Sequence, residues 1–304
     1  MRVYIVGAGA IGKALAVCLK LNGKDVQLIR GSVDDGHSYH EEITLKLSDN
    51  NELKAVVEFN TPGNLQELNG LIVLAIKSFG NRMIAEKLRK KAQGSPIVIL
   101  QNGLGIEQPF LDNDFQDVFR CVLFATSQNI SKTEISYKPV AESPVGIITQ
   151  HNFALNAIVE EMNTPYFRFI AETEIERVVW KKVIVSCVFN SICPLLETDN
   201  GVFHREKDVF SLAKQVIGEC IMISREKGID LKPEEIEKLV ISISQMSDGQ
   251  FISTLQDIRN RKKTEIDTMN FEIFRMAEEM GLDRHVQQTK LLGELIKLKS
   301  ALNR

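Results

Sequence analysis

No C-x-x-C pair occurs among the five cysteines, which stand apart at Cys18, Cys121, Cys187, Cys193 and Cys220 in apolar surroundings. That pattern argues against disulfides or zinc and for buried free thiols in a reducing cytoplasm. The five histidines are as scattered, and only His37 and His40 stand close, which is too little for a metal site. An excess of one charge is also missing. With 37 basic against 40 acidic residues the net charge is −3, so neither nucleic acid nor an anionic membrane is the expected partner. No apolar run approaches the ~20 residues a membrane span needs, and Met1–Ile5 enters a strand directly, without a signal-peptide layout. Internal repeats and low-complexity segments are absent too. What remains is 304 residues, 44% hydrophobic and 25% charged, the profile of a globular protein with one large or two ordinary domains.

The first thirty residues carry the clearest pattern. Arg2–Val6 reads as a buried strand, Gly7-Ala8-Gly9-Ala10-Ile11-Gly12 follows at once, and an apolar-periodic helix runs from about Lys13 to Leu21. Asn22-Gly23 closes that helix, and a second strand spans Asp25–Ile29. This is G-x-G-x-x-G in its full strand–turn–helix–strand setting, which points to a dinucleotide. The first glycine permits the tight turn, the second lets backbone approach a pyrophosphate, and the third lets the helix pack on the sheet. Free N–H groups and the positive dipole end of the helix then face the phosphate. Beyond the second strand stands Arg30-Gly31-Ser32, where an arginine can fork onto a 2′-phosphate and Ser32 can add a bond. That favours NADP(H) over the plainer readings, in which Arg30 is a surface arginine or Asp34 or Asp35 serves an NAD ribose.

Residues 43–47 and 55–59 suggest a strand pair turning at Asp49-Asn50-Asn51. Leu71–Ile76 and Pro96–Leu100 read as strands buried on both faces. Ligands in open α/β sheets bind beyond the carboxyl ends of strands, which is where Lys77 and Asn102 lie. Lys77 is the better candidate for ligand contact. Asn102-Gly103 is also a turn dipeptide, so for Asn102 both readings stand. A β-rich stretch (121–127, 135–137, 145–149), a helix at 152–163 and a short strand at 166–171 complete this half. The expected architecture is α/β, with a Rossmann-type doubly wound sheet over residues 1–171 and an all-helical domain over 172–304. Helices are expected at about 173–196, 206–227, 233–246, 264–280 and 284–302.

One of the most apolar stretches, Val179–Asn190, carries polar residues at Lys182, Ser186 and Asn190. At i, i+4 and i+8 these form one column on a helix face. Lys181 instead shares a face with Val185 and Phe189, so it is expected to lay its stem on apolar surface and carry its charge to water. A lysine in such a helix has either snorkelled or been placed for chemistry, and for Lys182 this stretch alone leaves both open. Further on, Ser253-x-x-Gln256 fits a capping box, Thr264 fits a cap, and the basic run between them fits a solvated face.

Taken together these residues resemble the ketopantoate reductase (2-dehydropantoate 2-reductase) family over essentially the whole chain. The carriers are Gly7–Gly12, Arg30, Lys77, Gln101-Asn102-Gly103, Trp180-Lys181-Lys182 with Asn190, and Ser253–Ile258 with Thr264-Glu265-Ile266-Asp267. The resemblance implies reduction of a small 2-oxo acid, ketopantoate, to pantoate by NADPH (leaving NADP+), on the route to pantothenate and coenzyme A. It makes Lys182 the general acid and has Glu265 hold the substrate hydroxyl and the cofactor-facing network. Asn102, Ser186, Asn190 and Ser253 become substrate residues. Gly7, Gly9, Ala10, Ile11, Gly12, Arg30, Lys77, Asn102 and Glu265 line the cofactor. No metal is implied, and the protein would be a monomer or homodimer.

Elementary chemistry accords with lysine in that role. Ketone reduction needs a proton donor, no histidine sits in a recognisable motif, and a cation also stabilises the developing alkoxide. Ser186 departs from the family's usual asparagine, and Ser191–Glu197 lacks the usual Pro-Leu-Thr. Both bear on which 2-oxo acid is reduced, so a relative acting on another branched 2-oxo acid is the main alternative. A non-catalytic NADPH-binding sensor is a second. One geometric demand follows: on a single straight helix Ser253 and Glu265 would stand ~18 Å apart, so the chain has to bend near Arg259–Lys263 for both to serve one site.

Overall fold

The computed structural model describes residues 1–92 and 94–303. The chain divides into two compact units, one of Met1–Gln101 with Ile106–Ile175, the other of Asn102–Gly105 with Glu176–Arg304. The sequence-based division falls at 171/172. Contacts place the boundary four residues later and assign the loop Asn102–Gly105 to the second unit.

In chain order the first unit contains β1 (Val3–Val6), α1 (Ala10–Leu21), β2 (Val26–Ile29), β3 (Tyr39–Leu47), β4 (Glu52–Asn60), β5 (Leu71–Leu74), α2 (Asn81–Leu88), β6 (Ile97–Ile99), α3 (Gln108–Leu111), β7 (Val118–Cys121), β8 (Ala125–Asn129), β9 (Glu134–Pro139), β10 (Ser143–Thr149), α4 (Leu155–Met162) and β11 (Phe169–Ala171). Among the described residues its eleven strands form one sheet in the order β11-β10-β7-β6-β5-β1-β2-β4-β3-β9-β8. The strands from β7 through β4 run parallel to one another, β10 lies antiparallel on β7, and β4 returns antiparallel on β3 through a turn where Asn50 takes φ 64°.

Alternation explains how helices cover both faces. Val3 and Ile5 of β1 and Leu71 and Val73 of β5 enter the core built on α1 and α4. Their neighbours Tyr4, Val6, Ile72 and Leu74 enter the opposite core with Ile84 and Leu88 of α2 and Phe110 of α3. Successive side chains on a strand point to opposite faces, so a strand buried on both sides reads as an unbroken apolar run.

The stretch expected as strand over 121–127 is two strands, β7 and β8, and the break has a geometric cause. β7 is third in the sheet and β8 is last. Flat, eight strand spacings would separate them by ~38 Å. Residues 122–124 reach only about 13 Å. The sheet therefore curls, bringing its β8 edge round α1, whose Leu15 and Leu19 share a core with Ile43, Val57, Ile135 and Tyr137.

The second unit is helical: α5 (Ile175–Leu196), α6 (Val202–Arg205), α7 (Lys207–Glu226), α8 (Pro233–Met246), α9 (Ser253–Arg259), α10 (Asn270–Glu279) and α11 (Gln287–Leu302). Neither α6 nor α9 is expected from periodicity, being too short for a repeating apolar face. The helix expected over 264–280 begins only at Asn270, after a 3-10 turn at Ile266–Thr268. Contrary to the reading of apolar runs, α5 is long and apolar enough by composition to cross a membrane, with a mean hydropathy of 1.5 over its best 18-residue window. Two lysines interrupt the run without lowering the average enough to matter. Some 72% of that window is buried inside the protein, the property of a core helix.

Candidate active site

At the carboxyl ends of β1, β2 and β5 the chain builds a tight glycine turn. Gly7 has φ +128°, and a Cβ there would lie 2.6 Å from the Ala75 carbonyl carbon, so both the conformation and the space demand glycine. A Cβ at Gly12 would stand 1.9 Å from the Gly7 oxygen. That contact seats α1 against the turn. Gly9 is different, since a Cβ there meets no atom within 4 Å. Packing leaves that side of the turn open for a group from outside the chain. Gly9 is also the N-cap of α1, which has no side-chain cap and no acidic residue in its first turn. The N–H groups and dipole of Ala10 and Ile11 thus remain available to an anion. These features fit the pyrophosphate of a nicotinamide dinucleotide.

Arg30 follows β2 directly, and its guanidinium is engaged within the protein. Nη2 lies 2.7 Å from Asp35 Oδ1 and Nη1 3.2 Å from Oδ2, and Nη2 also donates to the His37 carbonyl at 2.6 Å. The guanidinium lies over the Tyr39 ring, 5.3 Å from its centroid. The His37 N–H, first, and then Arg30 hold the Asp35 carboxyl below its usual range. Lys77 is exposed just after β5 and opens the 3-10 turn Ser78–Gly80. The start of α2 is fixed by a reciprocal amide pair: Asn81 Nδ2 donates to Gln101 Oε1 at 2.9 Å, and Gln101 Nε2 donates to Asn81 Oδ1 at 2.5 Å. Sequence reasoning missed this pair. Its one cue is that Gln101 stands just past the end of β6 and Asn81 opens the helix after β5.

In the second unit the polar column of α5 has a gradient of exposure. Lys182 and Ser186 are half-buried, while Asn190 is 3% exposed. The Asn190 amide is used at both ends. Its Nδ2 donates to the Ser186 carbonyl at 3.0 Å, while Oδ1 accepts the Ser253 hydroxyl and the Thr254 N–H, each at 3.4 Å. Three of the sequence-selected residues thus meet directly. Ser253 does not cap α9, because the N-cap is Ile252 and no side chain caps it. The capping-box reading is set aside: the Gln256 amide donates to the Phe251 carbonyl at 2.7 Å, and the serine hydroxyl is turned to Asn190.

The bend demanded between Ser253 and Glu265 is present. α9 stops at Arg259, Arg261 takes φ 55°, and the Lys262 N–H closes back on the Asp257 carbonyl at 2.8 Å. Glu265 is 9% exposed and caps the 3-10 turn, its carbonyl accepting both the N–H and the hydroxyl of Thr268 at 3.1 Å. Against this turn lies the Asn102–Gly105 loop, with the Leu104 N–H donating to the Thr268 carbonyl at 2.9 Å. Gly103 has φ +114° there, and a Cβ would come within 2.4 Å of Thr268 Oγ1. Asn102, half-buried, is carried to the Glu265 turn by that contact. Thr268 has no distinguishing spacing in the sequence, and only its distant partners reveal it.

Lys181 has a partner that the sequence does not suggest. Its ammonium, at the partly exposed surface, pairs there with Glu235 of α8, which also binds Arg177 Nη2 at 2.9 Å. Lys181, first among the causes, keeps the Glu235 carboxyl below its ordinary range. The two adjacent lysines therefore leave α5 in different settings, Lys181 toward α8 and Lys182 at the head of the Ser186–Asn190 column.

Comparison with known proteins agrees along the chain. The family model described as ketopantoate reductase PanE/ApbA matches residues 3–147, and the model of that family's C-terminal region matches 174–300. Among sequence relatives, a 2-dehydropantoate 2-reductase of Pyrococcus abyssi is 28% identical over 307 residues, covering 99% of each chain. Another, from Streptococcus pyogenes serotype M1, is 23% identical over 317 residues and again covers 99% of each. Among solved structures, a ternary complex of D-mandelate dehydrogenase with NADH and anilino(oxo)acetate has a TM-score of 0.85 at 18% identity, covering 100% of this chain and 99% of that one. A dimeric ketopantoate reductase from Staphylococcus aureus has a TM-score of 0.81 at 18% identity, covering 100% of both. At such identities the structures establish the common fold.

Proposed function

The chain belongs to the ketopantoate reductase family of oxidoreductases, and on that footing we propose that it reduces 2-dehydropantoate to pantoate with NADPH, supplying the route to pantothenate and coenzyme A. In this reading the unit carrying the glycine turn (residues 1–171 in the sequence reading) binds the dinucleotide, and residues 172–304 bind substrate and carry the acid. The observation that carries it is the junction below Lys182, where the Asn190 amide of a helix otherwise given to the core binds the Ser186 carbonyl and the Ser253 hydroxyl of α9.

NADPH, when bound, supplies the hydride. Lys182 holds the proton that passes to the ketone oxygen, and its cation opposes the negative charge growing there. Ser253 and Asn190 orient the acid, with the Ser253 hydroxyl placed for its carboxylate. Glu265 takes the substrate hydroxyl, and Asn102 adds a contact from the loop pinned on Thr268. Arg30 and Lys77 are the cations assigned to the cofactor. All five cysteines are buried thiols, which supports a cytoplasmic location.

Steady-state kinetics with a panel of branched 2-oxo acids, run with NADPH and NADH side by side, tests the proposal. The expected result is the highest kcat/KM for 2-dehydropantoate with NADPH. A better substrate elsewhere in the panel assigns the chain to a related reductase, for which the small Ser186 side chain leaves room. Absence of turnover with every acid, alongside tight dinucleotide binding, would leave a sensor.

A further inference from the structure

We propose that Asp35 sets the preference of this protein between 2′-phosphorylated and unphosphorylated nicotinamide dinucleotides, by occupying the Arg30 guanidinium as an internal counter-anion; this rests on the dinucleotide reading of the glycine turn. Arginine recognises phosphate through two parallel N–H donors. In this protein both terminal nitrogens of Arg30 already face the Asp35 carboxylate, at 2.7 and 3.2 Å, and Nη2 is shared with the His37 carbonyl at 2.6 Å. The remaining donor, Nε, is buried and finds no hydrogen-bond partner among the described residues.

The pair is built into its loop. Asp35 Oδ1 accepts the His37 N–H at 3.0 Å. On either side, Asp34 is held by the Gly63 N–H at 2.7 Å and Lys87 at 3.0 Å, and the Gly36 carbonyl is held by Asn64 at 2.7 Å. A 2′-phosphate therefore has to displace a fixed carboxylate and stand beside its charge. A ribose 2′-hydroxyl meets no such repulsion, and a carboxylate near the end of the second strand accepts its hydrogen bond. Asp35 thus handicaps the phosphorylated cofactor without removing the arginine that binds it.

Calorimetric titration of NADPH and NADH into wild type, Asp35→Asn, Asp35→Ser and the double variant Arg30→Ala/Asp35→Asn tests this. Asparagine keeps an oxygen for the His37 N–H and loses only the charge. Asp35→Asn and Asp35→Ser should bind NADPH about tenfold more tightly relative to NADH than wild type does, as expected when a charged hydrogen-bonding competitor is removed. That gain should vanish in the double variant. An unchanged NADPH-to-NADH ratio in both single variants, with wild type binding either dinucleotide, overturns the role of Asp35 alone. Wild type binding neither dinucleotide overturns the cofactor reading and this proposal with it.

Discussion

The Ser253 hydroxyl donates to Asn190 Oδ1 at 3.4 Å, joining the first residue of α9 to the buried end of the polar column on α5. The same oxygen receives the Thr254 N–H, so one buried amide holds both the start of α9 and the Ser253 hydroxyl. Asn190→Ala removes that acceptor and leaves the Thr254 N–H buried without a partner. We expect a loss of about 1–3 kcal/mol in stability and a raised KM for the 2-oxo acid, with dinucleotide affinity retained. Urea unfolding and parallel KM and Kd measurements check both. Unchanged KM would remove Asn190 from the substrate site.

Gly103→Ala probes the loop pinned to the Glu265 turn. Its φ of +114° and the 2.4 Å approach to Thr268 Oγ1 leave no room for a methyl group. The expected cost is about 1–3 kcal/mol of backbone and steric strain, seen as a fall in Tm of several degrees. A Tm equal to wild type contradicts the pinned geometry.

The parts legible in sequence were those whose partners lie close along the chain. G-x-G-x-x-G, the doubly buried strands and the i, i+4, i+8 column of Lys182, Ser186 and Asn190 each rest on local periodicity, and the structure forms all of them. The bend at Arg261 was also foreseeable, because 1.5 Å per residue forbids one straight helix from serving both Ser253 and Glu265. What escaped depends on distant partners. Asp35 gives no sign that it will take Arg30, Thr268 none that it will receive the Gly103 loop, and Glu235 none that it will pair with Lys181. The break at Ile266–Thr268 escaped for another reason, since the apolar spacing there suits a helix and only the loop packed against it selects the tighter turn.

Stability should depend on pH through Asp117. Its carboxylate is buried and accepts the N–H groups of His151, Asn152 and Phe153 at 2.8, 2.9 and 3.2 Å. Burial opposes ionisation, but the three N–H groups prevail and the carboxyl is held below its ordinary range. A carboxylate with a depressed folded pKa stabilises the protein above its unfolded pKa of about 4, and that contribution disappears as pH falls through the folded value. Wild type should therefore exceed Asp117→Asn in urea midpoint at pH 7, with the gap narrowing below about pH 4. A gap independent of pH contradicts this.

Lys182→Ala is the most direct test of the account. If Lys182 delivers the proton, kcat with NADPH and 2-dehydropantoate should fall by at least ~100-fold while the Kd for NADPH stays within about twofold of wild type. Turnover equal to wild type with NADPH binding intact would contradict it and return Lys182 to a packing role on α5.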